Sequence, residues 1–251
     1  MNTTATRVQD IRPLERGEAK GLAAAEYERC LDMLRSLSSD EWWRPTECDP
    51  WDVKALAGHV LGMAERYVSP EEEARQSKLA GEAAQQTGVA WIDALTDLQA
   101  REHAALSPSD LIARFEDVAP RAVAGRMGAS AGARAMTFNP GPPVDEEWTR
   151  GYLLDVVLTR DPWMHRVDIS RATGRDPVLT AAHDGRVVAD VVAEWARRHG
   201  QSFAPILTGP AGGSFVAGEG GEHLELDAVE FCRILSGRAR GAGLLSTEVP
   251  F

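Results

Sequence analysis

The sequence predicts an α+β protein in which a helical domain, residues 1–177, precedes a smaller α/β domain, residues 178–251. Apolar residues recur every three or four positions in long segments of the first part, a spacing typical of helices with one buried face. After Asp176-Pro177, the short segments PILTG, SFVAG and HLELD are typical of β-strands. The apolar content of 43% over 251 residues is enough for a real hydrophobic core.

Helix boundaries in the first domain follow from capping residues and prolines. The first helix is expected from Leu14 to Leu37, with no proline to interrupt it. A loop, SSDEWWRPTECDP, leads to a second helix that is expected to begin near Trp51, where Asp49 can cap it and Pro50 lies in its first turn. The acidic segment PEEEARQSKLAGEAAQQTG either continues or interrupts this helix. Further helices are predicted over residues 89–106, 109–127, 153–173, 181–198 and 228–236.

Charge and composition argue against several classes of protein. The net charge of −11 and the absence of any run of arginines argue against a nucleic-acid partner, because phosphate binding needs clustered positive charge. No segment approaches the roughly eighteen uninterrupted apolar residues of a membrane span, and no signal peptide is evident, so neither a membrane partner nor secretion is expected. Cys30, Cys48 and Cys232 are scattered without a CxxC pair, which favours a reducing compartment, the cytoplasm.

The segment LLDVVLTRDPWMHRVDISRATG, Leu153 to Gly174, places two polar residues where apolar ones are expected. Leu154, Leu158, Asp161 and His165 are spaced by four, three and four residues, so they would share one stripe of a continuous helix. Burying a carboxylate and an imidazole there costs several kcal/mol unless each has a partner. Side chains four residues apart on a helix can point at one place, which is how helical bundles hold metal ions.

A third ligand would have to come from another helix, and His59 in the second helix is the candidate. Two imidazoles and a carboxylate form a ligand set for zinc or another divalent transition metal, with one position left open for water or substrate. Two alternatives remain open. His59 can be a hydrogen-bonded core residue, and Asp161 can be a helix N-cap with Pro162 in the first turn. Pro162 inside a helix would cost ~3 kcal/mol.

Other polar residues are weaker candidates. Asp168, three residues after His165, can orient an imidazole as a hydrogen-bond acceptor, or it can be a solvated charge that pairs with Arg171 or Arg175. The remaining histidines have no partner at ligand spacing, so surface positions are favoured for all of them: His103, His183, His199 and His223.

Three segments resemble one known family. PTECDPWDVKALAGHV is similar to the N-terminal signature of the mycothiol-dependent maleylpyruvate isomerase family, a branch of the DinB-like metal-binding four-helix bundles. RDPWMHRVDISRATG resembles the family's second signature, in which a carboxylate and a histidine four residues apart complete the metal site. DAVEFCRILSGRARGAGLL is similar to the end of the family's smaller α/β domain. The three segments follow the family's order and together span nearly the whole chain.

The resemblance implies an up-down four-helix bundle for residues 1–177, with His59, Asp161 and His165 as ligands of a divalent metal, zinc by preference. It also implies a thiol cofactor, mycothiol or a similar thiol, and a small electrophilic substrate. In the family's isomerase the thiol adds to the cis double bond of maleylpyruvate, rotation follows, and loss of the thiol gives fumarylpyruvate. Arg238 is the implied partner of the substrate carboxylate, and the alternative is that it pairs with Asp227 or Glu230 for structural reasons. The chain departs from the isomerase at Asp161, where the isomerase has glutamate.

The resemblance does not fix the reaction, because relatives of this bundle include thiol S-transferases and members with no known activity. Three functions are therefore weighed: an isomerase of the maleylpyruvate type, an S-transferase of mycothiol or another low-molecular-weight thiol, and a non-catalytic protein that binds a metal or a small ligand. A monomer or a homodimer is expected.

Overall fold

The computed structural model describes residues 5–142 and 144–251, which form two compact units. We call residues 16–177 the helical unit, and residues 5–15 together with 178–251 the mixed unit. The sequence assigns residues 5–15 to the helical domain, and this is wrong, because strand β1 (Thr6–Arg7) pairs with a strand of the mixed unit. Residues 1–4 and 143 of the predicted first domain lie outside the described residues.

The helical unit consists of helices and one two-stranded sheet. Its helices are α1 (Arg16–Ser36), α2 (Val53–Arg66), α3 (Pro70–Thr87), α4 (Trp91–Glu102), α5 (Pro108–Gly128), α6 (Ala131–Ala135), α7 (Arg150–Tyr152) and α8 (Leu158–Thr173). Its strands, β2 (Thr137–Phe138) and β3 (Trp148–Thr149), pair antiparallel. In the described part of the chain, every helix is too short or too polar to cross a bilayer.

Helices α1, α2 and α5 share one hydrophobic core, to which α8 contributes Ile169. Tyr27 of α1 and Phe115 of α5 meet edge to face in this core, with ring centroids 5.4 Å apart. Each large apolar side chain that is fully buried stabilises the fold by roughly 1.5–3 kcal/mol. The core therefore fixes α2 and α8, the helices that carry the predicted ligands, against common neighbours.

Helix α2 begins at Val53 and not near Trp51, and its N-cap is Asp52 and not Asp49. The Asp52 carboxylate accepts a hydrogen bond of 2.8 Å from an amide of the first turn. The preceding residues are held in a loop, because the Thr46 amide donates a 3.0 Å hydrogen bond to the Trp51 carbonyl. That carbonyl is therefore used by the loop before the helix begins.

The acidic segment after α2 forms a separate helix, α3. Ser69 caps it, Pro70 lies in its first turn, and Gly88 ends it in the left-handed conformation with φ of 77°. The chain then returns through α4, so that α4 packs against both α2 and α3.

Two glycines let α4 approach α2 closely. A Cβ atom added to Gly62 would lie 2.6 Å from the Cβ of Gln99, and one added to Gly58 would lie 3.1 Å from the Cβ of His103. At Gly62 no side chain fits without displacing α4. This close approach places the Gln99 side chain beside the middle of α2.

Helix α8 continues a helical segment that starts earlier. α7 leads directly into a π-helical turn, Leu153–Val157, and α8 follows without a break and ends at Gly174, whose φ is 71°. Pro162 lies inside α8 and has no N–H to donate to the Leu158 carbonyl. The π turn lies directly before Leu158, and single π turns within helices often occur at functional sites.

The mixed unit contains α9 (Asp184–His199), β4 (Phe203–Thr208), β5 (Gly213–Val216), β6 (Glu222–Asp227) and α10 (Ala228–Leu235). The three strands predicted from the sequence are present, and with β1 they form a sheet in the order β1-β5-β4-β6. β4 is antiparallel to β5 and parallel to β6. Trp195 of α9 is fully buried and packs edge to face against Phe203 and Phe231, so one aromatic cluster joins the sheet to both helices.

Candidate metal centre

The structure brings together the side chains of His59, Asp161 and His165. Asp161 Oδ1 lies 3.3 Å from Nε2 of His165 and 3.9 Å from Nε2 of His59. Two atoms bound to one tetrahedral zinc ion at 2.0–2.2 Å would be about 3.4 Å apart. The three side chains are therefore spaced closely enough to share one ion after small adjustments.

Asp161 is an interior residue of a helix. The backbone is helical from Arg150 onward, so Asp161 does not occupy the first position of a helix. Its carboxylate faces His165, one turn further along α8. The alternative in which Asp161 is an N-cap is therefore wrong, and the carboxylate lies on the stripe that its spacing predicts.

His59 is buried on α2, with 2% of its surface exposed. Its Nδ1 atom lies 2.8 Å from Oε1 of Gln99, so one side of the ring has the hydrogen bond expected of a core histidine. The other nitrogen, Nε2, faces Asp161. The rings of His59 and His165 meet edge to face with centroids 4.9 Å apart, and the Trp51 ring lies against His59 at 5.2 Å.

Asp161 and His165 each favour the charged form of the other. Burial favours the neutral form of Asp161, but the neighbouring His165 charge and the hydrogen bond from His165 hold the pKa of Asp161 well below its ordinary value. Burial likewise favours neutral His165, yet the Asp161 charge and the hydrogen bonds of Asp161, Asp168 and Cys48 raise the pKa of His165 well above 6.5. Asp161 is therefore an ionised carboxylate at neutral pH, the form that binds a cation.

Asp168 orients the second histidine. Its Oδ2 atom lies 3.0 Å from Nδ1 of His165, and the residue is completely buried. The alternative of a solvated charge is wrong, since the two arginines offered as its partners bind other carboxylates, Arg171 that of Glu47 and Arg175 that of Glu41. Histidines that bind metals commonly donate their other N–H to a carboxylate in this way.

Sequence reasoning missed Cys48. Its thiol donates a 3.3 Å hydrogen bond to the same Asp168 oxygen that faces His165, and Cys48, His165 and Asp168 form a second group with ligand atoms within 4.8 Å of one another. Cys48 lies in a loop and is 120 residues from Asp168 in the sequence, so no regular spacing of metal-binding residues could have identified it. Its place inside the PTECDP segment of the first family signature was the available signal.

The surface positions predicted for two other histidines are wrong. His103 is 2% exposed and lies, just after the end of α4, with its Nε2 atom 3.0 Å from Oε2 of Glu65. His183 in the mixed unit is also buried. By contrast, His199 is partly buried and His223 is exposed.

Arg238 lies in the mixed unit, in the turn that follows α10. Its backbone amide donates a 2.9 Å hydrogen bond to the Arg233 carbonyl, and the residue is partly buried. Its role in binding a substrate carboxylate stays a prediction.

Comparison with known proteins gives a family and a fold. Residues 23–170 match the family described as the mycothiol maleylpyruvate isomerase N-terminal domain. The structure is similar to crystal structures of a mycothiol-dependent maleylpyruvate isomerase and of its histidine-to-alanine mutant, with 17% and 16% sequence identity. Both comparisons give a TM-score of 0.56 and cover 93% of this chain and 92% of the other. No curated protein matches the sequence.

The family match covers more than half of the chain and includes His59, Asp161 and His165. The match therefore extends over the three helical residues that the structure brings together. The fold similarity extends over nearly the full length, the sheet-containing part included. The chain belongs to the mycothiol maleylpyruvate isomerase family.

Proposed function

We propose that this chain is a metal-dependent enzyme that uses mycothiol or a similar thiol to act on a small electrophilic substrate, as an isomerase of the maleylpyruvate type. One observation carries the proposal: two buried imidazoles direct their Nε2 atoms at one carboxylate, that of Asp161. A buried arrangement of this kind is costly in an ordinary core and useful around a cation. Family membership adds the thiol and the class of reaction.

His59, Asp161 and His165 would hold the ion, and their nitrogen and oxygen donors suit zinc. When bound, a divalent ion there would supply Lewis acidity and would favour the thiolate form of a thiol near neutral pH. Asp161 is one methylene shorter than the glutamate that the resemblance implies. Its position one turn before His165 still brings the carboxylate to the histidine nitrogens.

The residues around the ligands keep them in place. Gln99 contacts Nδ1 of His59 and Asp168 contacts Nδ1 of His165, so each imidazole ring is held on the side away from Asp161. Trp51 covers one side of the His59 ring. We also propose that α1, α2, α5 and α8 correspond to the up-down four-helix bundle of the DinB-like proteins, since they meet in one core and α2 and α8 carry all three ligands.

The proposed reaction has a first step that isomerase and transferase share. The thiolate sulfur forms a bond to one carbon of the substrate double bond, and the π electrons move toward the activating carbonyl. Rotation about the resulting single bond and loss of the thiolate would restore the double bond in the other geometry. Arg238 is proposed to hold the substrate carboxylate with its planar guanidinium. A transferase would instead retain the carbon–sulfur bond, and the carbon next to the activating carbonyl would take up a proton from solvent to give the thioether.

The experiment is turnover by purified, zinc-loaded protein with mycothiol and maleylpyruvate, followed by a panel of other electrophiles. Isomer formation without net consumption of thiol is the expected result. Consumption of thiol with a thioether product would instead identify an S-transferase, and saturable binding without turnover would identify a binding protein. His165→Ala should abolish turnover, whereas His223→Ala, which changes an exposed histidine, should not.

Arg238 has its own test within this proposal. Arg238→Ala should raise KM for substrates that carry a carboxylate and should leave KM for uncharged electrophiles unchanged. Arg240→Ala is the matched control, since Arg240 is an exposed arginine two residues away. Equal effects of Arg238→Ala on both kinds of substrate would contradict the assignment.

A further inference from the structure

A chain of buried amides extends from His59 to the backbone of α2. Nδ1 of His59 lies 2.8 Å from Oε1 of Gln99, and Nε2 of Gln99 donates a 2.9 Å hydrogen bond to Oε1 of Gln76. Nε2 of Gln76 in turn donates to the Gly62 carbonyl at 3.1 Å and to Oε1 of Glu72 at 2.9 Å. Gln76 and Gln99 are both completely buried.

The far end of this chain fixes the direction of every hydrogen bond in it. The Gly62 carbonyl can only accept, so Gln76 must present its NH₂ group there and its oxygen to Gln99. Gln99 must then present its NH₂ group to Gln76 and its oxygen to His59. An amide oxygen cannot donate, and therefore the Nδ1 atom of His59 carries a proton.

The position of that proton decides what the other side of the ring can do. A neutral imidazole with its proton on Nδ1 has its lone pair on Nε2. Nε2 is the atom that faces Asp161, 3.9 Å away, and a metal ligand needs a lone pair at that place. With the proton on Nε2, the ring would present a donor to the proposed ion and could not bind it.

We propose that Gln76 and Gln99 are positioning residues that hold His59 in the Nδ1–H tautomer and so keep its Nε2 lone pair available for a cation shared with Asp161 and His165. This inference rests on the proposed metal site. The close packing at Gly62 contributes to this arrangement, because it brings Gln99 of α4 within reach of His59. Gln76 acts only through Gln99.

A purely structural role, in which the two amides only satisfy each other's hydrogen bonds, differs from a positioning role in its effect on the His59 tautomer. If they only satisfy one another in the core, replacing them lowers stability and leaves the His59 tautomer unchanged. If they position His59, replacing Gln76 frees the Gln99 amide to rotate and present its NH₂ group to Nδ1. The proton of His59 would then move to Nε2 in part of the molecules.

The test is long-range ¹H–¹⁵N NMR of the histidine rings in the metal-free, full-length protein at a pH where His59 is neutral. The His59 signals are assigned by their loss in His59→Gln. The wild type should show a proton on Nδ1 and a bare Nε2. Gln76→Met and Gln99→Met remove the hydrogen bonds at similar volume, and each should shift the tautomer toward Nε2–H. Gln86→Met changes an exposed residue of α3, the helix that carries Gln76, and should leave the tautomer unchanged.

Gln99→Glu is the conservative control for the methionine variants. A glutamate at this position still offers an oxygen to Nδ1, so the Nδ1–H tautomer should persist. A bare Nδ1 in the wild type, or an unchanged tautomer in folded Gln76→Met and Gln99→Met, would overturn the inference. The wild-type spectrum alone suffices for the first of these outcomes.

Zinc affinity, measured by competition with a chelator, separates this inference from the proposed function. Loss of an outer hydrogen-bond partner typically weakens metal binding by about 10–100-fold, which is the expected effect of Gln99→Met. If the wild type shows the Nδ1–H tautomer but binds no zinc, the proposed function fails and the tautomer assignment stands. If zinc binds through His59 with equal affinity in Gln99→Met and Gln86→Met, the positioning role fails and the metal site stands.

Discussion

The two imidazoles of the candidate centre are supported in chemically different ways. Behind His59 on α2 lies a neutral amide of Gln99, part of a chain that ends on a backbone carbonyl. Behind His165 on α8 lies the buried carboxylate of Asp168, with the Cys48 thiol on the same oxygen. A neutral acceptor orients a ring, whereas a carboxylate also increases the basicity of its far nitrogen. If both bind the proposed ion, we therefore expect His165 to be the stronger ligand and His59 to be the one whose binding depends more on its orientation.

The largest effects should come from removing either imidazole. His165→Ala and His59→Ala should each weaken zinc binding by more than the roughly 100-fold upper range of an outer partner, because a ligand itself is lost. His165→Ala should be the more damaging, since it removes the ligand with the anionic support. Chelator competition measures both against His223→Ala. Equal zinc affinity in all three variants would contradict the proposed metal site. A larger loss of affinity in His59→Ala than in His165→Ala would show that His59 is the stronger ligand.

Removing the shared carboxylate should change the pH dependence of stability in the metal-free protein. The Asp161 charge outweighs burial and raises the pKa of His165 well above 6.5, so this interaction stabilises the fold fully below pH 6.5 and is lost as pH rises through the folded-state pKa. The melting temperature of chelator-treated protein should therefore fall as pH increases above 6.5. Asp161→Asn should flatten this decline, and an identical slope in both proteins would contradict it.

Exchanging the two kinds of support tests the comparison itself. Asp168→Asn gives both imidazoles a neutral partner and should weaken zinc binding by about 10–100-fold. Gln99→Glu gives both an anionic partner and should preserve or strengthen binding, provided that the variant folds. Chelator competition combined with circular dichroism measures both quantities. Weaker binding by folded Gln99→Glu than by Asp168→Asn would show that the charge of the support is unimportant.

The smallest effect is expected at Cys48. Cys48→Ser replaces a weak S–H donor by a hydroxyl that can still donate to Asp168, so the orientation of His165 is preserved. Zinc affinity should change by less than about tenfold, below the usual range for a lost outer partner. A larger loss in the same chelator assay would indicate that the Cys48 sulfur itself binds the ion.

The sequence predicts one side of the centre better than the other, for a physical reason. Asp161, His165 and Asp168 lie on one helix within eight residues, so helical geometry alone predicts that they meet. The support of His59 comes from α3 and α4 and depends on how closely those helices pack. Gly58 and Gly62, four residues apart, were the only local sign of that approach.

Two other sequence predictions are wrong because they depend on a very short strand or on a partner that is distant in sequence. Strand β1 has only two residues, too few to show an alternating pattern, so residues 5–15 looked like part of the helical domain. No ionisable residue lies three or four positions from His103 in the sequence, and its carboxylate partner, Glu65, belongs to another helix. The long helices other than α3, and the three longer strands, were predictable because each contains enough residues to show its period, whereas α6 and α7 are too short to do so.

The proposed metal site holds one ion between His59, Asp161 and His165. Anomalous diffraction at the zinc absorption edge, from crystals of zinc-loaded protein, tests it most directly. We expect a peak about 2.0–2.2 Å from both Nε2 atoms and from an Asp161 carboxylate oxygen. A zinc-loaded crystal with no peak there, or with the ion held by other side chains, would contradict it.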